Sequence, residues 1–309
     1  MQPVNHSPAN AATPTDITLL HPLVRFLPPS FLPFALMSRW DRPVGVWLML
    51  LPALCGLVLA APRWPHWSYL LLFLIGGWAM RGAGCTINDI LDRRLDRQVA
   101  RTATRPLASG AVSPASAWIW LALQLTMGLI VLIQLPPLAQ LAGWAALPLI
   151  LLYPLMKRIT WWPQAWLGLT FNWGFWIGVT VYKAPHSLHW FIYYIGFLCW
   201  TIGYDTIYAV QDRADDAAVG VRSTARLFGR HTRRITYSFF GAALGLWLVA
   251  GLLAALGWLY MIGWLCVAAL VVVLLRSWRE DDPLSCRRAF IRNQWAGLAL
   301  LMAIALGRL

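Results

Sequence analysis

Long apolar stretches, separated by short polar or arginine-containing segments, follow one another along most of the chain. A helix that crosses a lipid bilayer needs about 20 mostly apolar residues. Because every backbone polar group must be hydrogen-bonded inside the bilayer, we expect helices in these stretches rather than strands. Nine predicted spans result: Pro43–Ala60, Trp67–Ile87, Pro114–Gln134, Leu138–Pro154, Pro163–Tyr182, Leu188–Tyr208, Ile235–Leu256, Trp258–Leu275 and Ala289–Leu306.

This pattern predicts an all-α fold, a polytopic membrane bundle of nine transmembrane helices. The segment before the first span differs, since residues 1–35 are rich in Pro, Ala, Asn and Thr. It lacks the basic stretch followed by an apolar core that is typical of a cleavable signal peptide. We therefore expect a disordered cytoplasmic tail over residues 1–35, followed by a single transmembrane domain over residues 36–309.

The composition supports a membrane protein and gives it an orientation. Charged residues are 12% of the chain, about half the fraction in a soluble domain. The net charge of +13 comes from basic residues between the apolar stretches, which argues against a nucleic-acid-binding face. With the N-terminus inside, nine spans leave only Arg63, Lys183 and Arg308 on the outer side, as the positive-inside rule requires. We expect an integral protein of the bacterial cytoplasmic membrane, with its acidic clusters facing the cytoplasm.

Carboxylates are the candidate metal ligands. Five cysteines without CxxC spacing and six histidines without paired spacing predict neither a disulfide framework nor a zinc site. Seven of the 12 acidic residues instead lie in two segments, NDILDRRLD and YDTIYAVQDRADD, at the ends of spans two and six: Asp89, Asp92, Asp96, Asp205, Asp212, Asp215 and Asp216.

Helical spacing places these carboxylates in two rows. Asn88, Asp92 and Asp96 share one helix face, and Asp205, Asp212 and Asp216 are expected to share another. Carboxylates facing lipid are costly, so we expect the rows to line a hydrated cavity. Oxygen ligands favour a hard cation such as Mg²⁺, which completes its coordination shell with water and substrate phosphate. The alternative is an ordinary solvated helix end with Asp–Arg pairs.

Basic residues near the two rows could hold an anionic substrate. Lys157 and Arg158 end span four on the same predicted side, and Arg97 and Arg105 follow the first row. Cations beside a carboxylate-bound metal suit a diphosphate. The positive-inside rule alone accounts for many of the other arginines.

With these residues the chain resembles the UbiA-type intramembrane prenyltransferases, which carry NDxxDxxxD on the second helix and DxxxD on the sixth. RTATRPLASG and VGVRSTARLFG resemble the segments that follow the two motifs, and YPLMKR resembles the basic end of helix four. The longer second motif resembles that of 4-hydroxybenzoate polyprenyltransferases. The resemblance covers nearly all of the chain beyond the N-terminal tail, and Arg222 stands where many relatives have lysine.

The resemblance implies a nine-helix bundle with a central cavity that opens to the cytoplasm. It implies Mg²⁺-dependent transfer of a polyprenyl group from a polyprenyl diphosphate to the ring of 4-hydroxybenzoate, ortho to the hydroxyl, in ubiquinone biosynthesis. The substrates and the lipid bilayer are the expected partners, with no nucleic acid and no obligate protein partner.

The resemblance also implies roles for individual residues of this chain. The expected metal ligands are Asn88, Asp92, Asp96, Asp212 and Asp216, with Asp89 and Asp215 as possible additions. Asp92, Asp212, Lys157 and Arg158 are the catalytic candidates, the last two as stabilisers of charge on the leaving oxygen. The substrate-binding candidates are Arg97, Arg105, Arg39 for the benzoate carboxylate, and Asp205, which like Asp89 could take the phenol proton.

Two other functions stay open. Another aromatic acceptor would use the same motifs, and a panel of acceptors would separate the cases. A cation-coupled transporter could also use intramembrane acids. Transporters place their site near the middle of the membrane, whereas both clusters here lie at the ends of spans.

Overall fold

A computed structural model describes residues 17–99, 102–183, 187–218 and 220–309. The described part forms sixteen α-helices and one short 3₁₀ turn. In chain order the helices are α1 (Pro22–Arg25), α2 (Leu32–Met37), α3 (Val44–Ala60), α4 (Trp67–Asp96), α5 (Pro106–Ser109), α6 (Pro114–Ile133), α7 (Pro137–Ala145), α8 (Leu147–Ile159), α9 (Pro163–Phe171), α10 (Gly174–Val181), α11 (Leu188–Val210), α12 (Arg213–Ala218), α13 (Thr224–Phe228), α14 (Thr232–Leu253), α15 (Trp258–Ser277) and α16 (Pro283–Gly307).

The predicted all-α membrane fold is confirmed. Among the described residues, six helical segments are long and apolar enough to cross a membrane: Trp67–Asp96, Pro114–Ile133, Pro137–Ile159, Thr224–Leu253, Trp258–Ser277 and Pro283–Gly307. Helix α3 is equally apolar but shorter. The predicted fifth span forms two helices, α9 and α10, and the predicted sixth span forms α11. The count of nine spans stays a prediction.

The predicted N-terminal tail is partly helical where the structure describes it. Residues 1–16 lie outside the described residues, but residues 17–35 include α1 and the start of α2. Each of these helices has a proline within its first two positions, where the fixed φ of the ring favours a helix start.

The helices group into two compact units. Within the described residues, the first unit comprises positions 17–43 together with 82–125. Its core contains Met37, Leu107, Val112 and Ala117. A buried polar cluster joins three of its helices: the Ser38 hydroxyl accepts hydrogen bonds from Trp120 (2.9 Å) and Gln124 (2.8 Å), and Thr86 donates to Gln124 (3.0 Å). The polar side chains of this cluster thus hydrogen-bond to one another, as buried polar groups usually do.

The second unit comprises Val44–Arg81 and Thr126–Leu309. Its core is unusually aromatic, and α11 packs there against α9, α14 and α16. The largest fully buried side chains of this core are Trp200, Trp247, Trp278, Tyr193, Tyr204, Tyr260, Phe175, Phe197 and Phe240. Because α11 carries so many of these large side chains, it is held firmly up to the point where the second acidic motif begins.

Helices α3 and α10 of the second unit approach closely. Gly56 and Gly178 face the backbone of the opposite helix, and a Cβ atom at either position would collide with that backbone. Small residues at such crossings allow close packing of membrane helices. The tight contact fixes α10 although it is only eight residues long.

The break between α9 and α10 has a polar side chain at its centre. Asn172 is fully buried and donates from its amide nitrogen to the Gly168 carbonyl (2.7 Å) and to the Thr201 hydroxyl (2.9 Å). The second bond joins the break to α11. A hydropathy profile does not reveal this interruption, because the surrounding residues are apolar on both sides.

Candidate active site

The first acidic motif lies on the last turns of α4, within the first unit. Asp89 and Asp96 are buried, whereas Asn88 and Asp92 are half-buried. The helix continues to Asp96, so the predicted helical register of Asn88, Asp92 and Asp96 holds in the structure. The motif therefore presents one row of oxygen donors, and Asp89, beside that row, is its most buried carboxylate.

Two arginines of the same unit hold the buried carboxylates. Arg39 Nη2 lies 2.5 Å from Asp89 Oδ1. Arg105 Nη1 lies 3.4 Å from the same oxygen and 3.1 Å from Asp96 Oδ2. Arg105 thus pairs with both aspartates, and Asp89 pairs with both arginines. Charge-assisted hydrogen bonds of this kind are stronger than neutral ones.

The backbone at Arg39 is unusual. Its φ of 60° lies in the left-handed region, which costs a non-glycine residue about 1–3 kcal/mol. Its guanidinium also donates to the carbonyls of Leu36 (3.0 Å) and Met37 (3.4 Å) at the end of α2. These bonds and the ion pair with Asp89 offset the backbone cost and fix the direction of the side chain.

Local structure also places Arg105. The Thr102 hydroxyl donates to the Asp96 carbonyl at 2.9 Å, which folds the segment after α4 back toward the helix end. Arg105 then immediately precedes α5, whose first residue is Pro106. A proline at the first helical position fixes the start of a helix, and the guanidinium reaches Asp89 and Asp96 from there.

The second acidic motif lies where α11 ends, within the second unit. The motif was expected on one helix, but α11 ends at Val210 and α12 begins at Arg213. The backbone N–H groups of Gln211 and Asp212 bond to carbonyls three residues earlier, which tightens the last turn. Asp205 therefore lies on α11, Asp212 in the break and Asp216 on α12, so their expected single face is interrupted.

The start of α12 is held by other parts of the second unit. The Asp216 N–H donates to the Asp212 carbonyl at 2.8 Å. Arg213, between the two aspartates, donates to the Thr232 hydroxyl (3.0 Å) and lies 3.7 Å from Glu280. The side chain of Asp215 lies outside the described part of the structure.

The structure brings the basic end of α8 beside the segment that follows the second motif. Lys157 and Arg158 lie in the last turn of α8. The Arg222 N–H donates to the Lys157 carbonyl (3.0 Å), and its guanidinium donates to the Ile159 carbonyl (2.6 Å). Lys157 is half-buried and Arg158 is exposed. Within the second unit, the end of α8 therefore lies beside the segment that follows the second motif.

Arg81 is a candidate residue that the sequence reasoning missed. It lies within α4, its guanidinium carbon is 5.2 Å from the Phe171 ring centroid, and it contacts Gly45. It also acts electrostatically on Asp205, as Asp212 does. The sequence carries a signal for Arg81, because it is a single arginine inside an apolar span. An ionisable residue in such a position usually marks a functional site.

The remaining predicted substrate-binding residue, Arg97, directly follows Asp96 at the end of α4. Its Nε donates to the Ala108 carbonyl at 2.9 Å. It lines a separate pocket together with Arg93 and Arg94.

The oxygen donors of the first motif suit a hard divalent cation, although arginines pair with two of its carboxylates, those of Asp89 and Asp96. The first motif offers only oxygen donors, and Asp89 Oδ2 is a buried oxygen without a hydrogen-bond partner. Within the described residues, no three carboxylate, imidazole or thiolate groups converge on one point. The ion pairs of Arg39 and Arg105 explain this for the first motif, because they direct Asp89 and Asp96 toward guanidinium groups.

Comparison with known proteins gives a consistent family. Residues 49–301 match the model of the UbiA prenyltransferase family. The chain is 42% identical, over 90% of its length, to the 4-hydroxybenzoate polyprenyltransferase, mitochondrial, of Aedes aegypti, of which it spans 64%. It is 40% identical, over 93% of its length, to the 4-hydroxybenzoate octaprenyltransferase of a Pseudomonas aeruginosa strain, of which it spans 96%.

Solved structures agree in fold. The apo structure of a UbiA homolog from Aeropyrum pernix K1 superposes with a TM-score of 0.73 at 22% identity, covering 86% of this chain and 98% of that one. A UbiA homolog from Archaeoglobus fulgidus bound to DMAPP and Mg²⁺ gives a TM-score of 0.68 at 19% identity, covering 88% and 99%. At these identities the likeness establishes the fold.

Proposed function

The chain belongs to the UbiA prenyltransferase family, and from that premise we propose that it transfers a polyprenyl group to the ring of 4-hydroxybenzoate, ortho to the hydroxyl. The observation that carries this proposal is the identity of about 40%, over more than nine tenths of the chain, to a protein named for this activity. In the reaction the allylic C–O bond breaks, diphosphate leaves with the electron pair, the ring carbon forms the new C–C bond, and the ring loses its proton. This is a step of ubiquinone biosynthesis.

We propose Mg²⁺ as the cofactor. Its support is the oxygen-only donor set and the Mg²⁺ that accompanies DMAPP in the Archaeoglobus fulgidus homolog. When bound, the ion neutralises diphosphate charge and so improves the leaving group. The ligands proposed on this chain are Asn88, Asp92, Asp96, Asp212 and Asp216, with Asp89 and Asp215 as possible additions.

The cations of the chain are proposed to bind the diphosphate. Lys157 and Arg158, at the end of α8, stabilise the negative charge that grows on the leaving oxygen. Arg105, which pairs with Asp89 and Asp96, is proposed to exchange these carboxylates for phosphate oxygens. Guanidinium groups bind either anion with the same paired geometry.

Two cations are candidates for the benzoate carboxylate. Arg39 is the one predicted from the sequence, and its guanidinium is engaged by Asp89. Arg81 is the alternative that the structure adds, because it lies beside the Phe171 ring inside a membrane helix. Asp205, within electrostatic reach of Arg81, is proposed to accept the phenol proton.

The chain is an integral membrane protein. We propose the bacterial cytoplasmic membrane, with the N-terminus and the active site on the cytoplasmic side. The support is the distribution of basic residues, which places most of them on one side. The substrates and the lipid bilayer are the proposed partners.

The test is an activity assay on the purified full chain in detergent or lipid. Geranyl diphosphate and 4-hydroxybenzoate are supplied with Mg²⁺, and the prenylated product is measured by mass spectrometry. We expect product with Mg²⁺ and none after EDTA, with recovery when Mg²⁺ is restored. Full turnover in EDTA would refute the metal proposal, and product from another aromatic acceptor alone would refute the choice of 4-hydroxybenzoate.

A further inference from the structure

The end of α4 carries a basic face beside its carboxylate row. Successive residues on a helix are rotated by about 100°. Arg93 is therefore turned by about this angle from Asp92, Arg94 lies one position further on, and Arg97 directly follows the last helical residue, Asp96. Within the described residues, none of these three guanidinium groups pairs with a carboxylate. Their charge is thus available to an anion from outside the chain.

The three arginines line one cavity, with Arg93 half-buried and Arg94 and Arg97 exposed. A cavity of about 470 Å³ is lined by Arg93, Arg94 and Arg97 and by apolar side chains that include Leu91 and Leu107. Arg93 Nε donates to the Leu107 carbonyl (3.3 Å), and Arg97 Nε donates to the Ala108 carbonyl (2.9 Å). These bonds hold the Arg93 and Arg97 guanidinium groups through their Nε atoms, so their Nη groups remain available to bind a ligand.

The position of the pocket selects the kind of anion. It lies where the membrane helix α4 ends and includes Pro114, the first residue of the membrane helix α6. Both of these helix ends are expected near the membrane surface, where phospholipid headgroups lie. Leu91 is 56% exposed at its edge, which gives an acyl chain an apolar surface to follow. A soluble phosphate would gain nothing from that surface.

We propose that Arg93, Arg94 and Arg97 form a binding site for the phosphate of an anionic phospholipid. Basic pockets between membrane helices suit such headgroups, and arginine binds phosphate through paired hydrogen bonds. The positive-inside rule would place arginines anywhere in this segment, but it does not require three of them to line one cavity. Under this proposal Arg97 binds a lipid phosphate, whereas the sequence made it a candidate for binding the substrate.

The test measures lipid binding to the full chain in a neutral detergent, without substrates. The chain is titrated with phosphatidylglycerol, and bound lipid is counted by native mass spectrometry. We expect one tightly held lipid. Each cation near an anionic headgroup contributes about fivefold in affinity, so the triple variant R93Q/R94Q/R97Q should bind on the order of 100-fold more weakly. The matched variant R230Q/R233Q/R234Q removes three exposed arginines at the start of another membrane helix and should bind as the wild type does.

Three outcomes would overturn the proposal. The first is an unchanged affinity in R93Q/R94Q/R97Q, and the second is equal binding of phosphatidylcholine. The third is displacement of the lipid by inorganic phosphate or diphosphate at matched concentration, which would assign the pocket to a soluble anion. If the triple variant does not fold, R94Q alone suffices, because the Arg94 side chain donates no hydrogen bond within the described residues. It should lower the affinity about fivefold.

Discussion

Asp89 is the most constrained acidic residue of the first motif. Its side chain is 1% exposed, and one of its oxygens faces both Arg39 and Arg105. Burying a carboxylate is tolerable only when cations and hydrogen bonds compensate for lost water. The two arginines supply this compensation at one oxygen of Asp89, and Asp89 in turn helps to orient both of them. A change at this one residue should therefore affect stability as well as activity.

Asp89→Asn should be strongly destabilising. The substitution leaves two partly buried guanidinium groups without their shared carboxylate, and breaking a buried pair in this way costs about 3–5 kcal/mol. We expect a lower melting temperature and a loss of prenyl transfer, measured by thermal unfolding and by product formation. Asp281→Asn is the matched control, because its ion pair with Arg279 is exposed, and it should leave the melting temperature unchanged. Equal melting temperatures for the two variants would contradict the interpretation.

Arg81 and Arg39 can be separated by kinetics. If Arg81 binds the benzoate carboxylate, Arg81→Gln removes a charged hydrogen bond and should raise the KM for 4-hydroxybenzoate about 10- to 100-fold. The KM for the prenyl diphosphate should stay near its wild-type value. The same measurement on Arg39→Gln assigns the carboxylate to Arg39 if only that variant raises the acceptor KM.

At the scale of elements, the connection between α8 and α13 is the one that positions Lys157 and Arg158. Besides the bonds from Arg222 to the end of α8, the Thr224 N–H donates to the Gln164 side chain at 3.0 Å, and the hydroxyls of Thr206 and Thr224 share a 2.6 Å hydrogen bond. Helices α9, α11 and α13 thus meet through buried polar contacts, and the bonds from Arg222 join α8 to them. The orientation of Lys157 depends on these contacts as well as on its own helix.

Gln164→Leu tests this dependence. The variant leaves the buried Thr224 N–H without an acceptor, which costs about 1–3 kcal/mol. We expect a lower melting temperature together with a reduced kcat, since the end of α8 loses support. Gln134→Leu changes the same residue type where the side chain is exposed and bonds only to its own helix, and it should alter neither quantity. A normal kcat in Gln164→Leu would show that Lys157 is positioned without this connection.

Hydropathy and motif spacing predicted the elements well where a helix is continuous. The register of Asn88, Asp92 and Asp96 was predictable because α4 runs unbroken through them. The break at Gln211 and Asp212 was not predictable, because it arises from a locally tightened turn. The ion pairs of Asp89 also escaped prediction, since Arg39 lies fifty residues away along the chain.

At the scale of the whole molecule, the two motifs belong to different compact units, yet both are proposed to serve one diphosphate. Asp92→Ala or Asp212→Ala alone should therefore lower kcat by about 100-fold or more, as loss of an essential charge-stabilising group does. The double variant should be scarcely worse than either single variant, because residues that act as a unit are not additive. Product measured under saturating substrates decides this, and fully multiplicative losses would mean that the motifs act independently.

The sharing of Arg105 between Asp89 and Asp96 has a consequence for how ligands load. A divalent ion that approaches these carboxylates must compete with the guanidinium, and a diphosphate that approaches the guanidinium must compete with the carboxylates. Either ligand arriving alone must break an Arg105–carboxylate pair and leaves one of its members without a partner. When both ligands bind, the divalent ion pairs with the carboxylates and the diphosphate pairs with the guanidinium. Their affinities should therefore reinforce each other reciprocally, so that a non-chelating diphosphate mimic would bind poorly however closely it copied the isoprenoid.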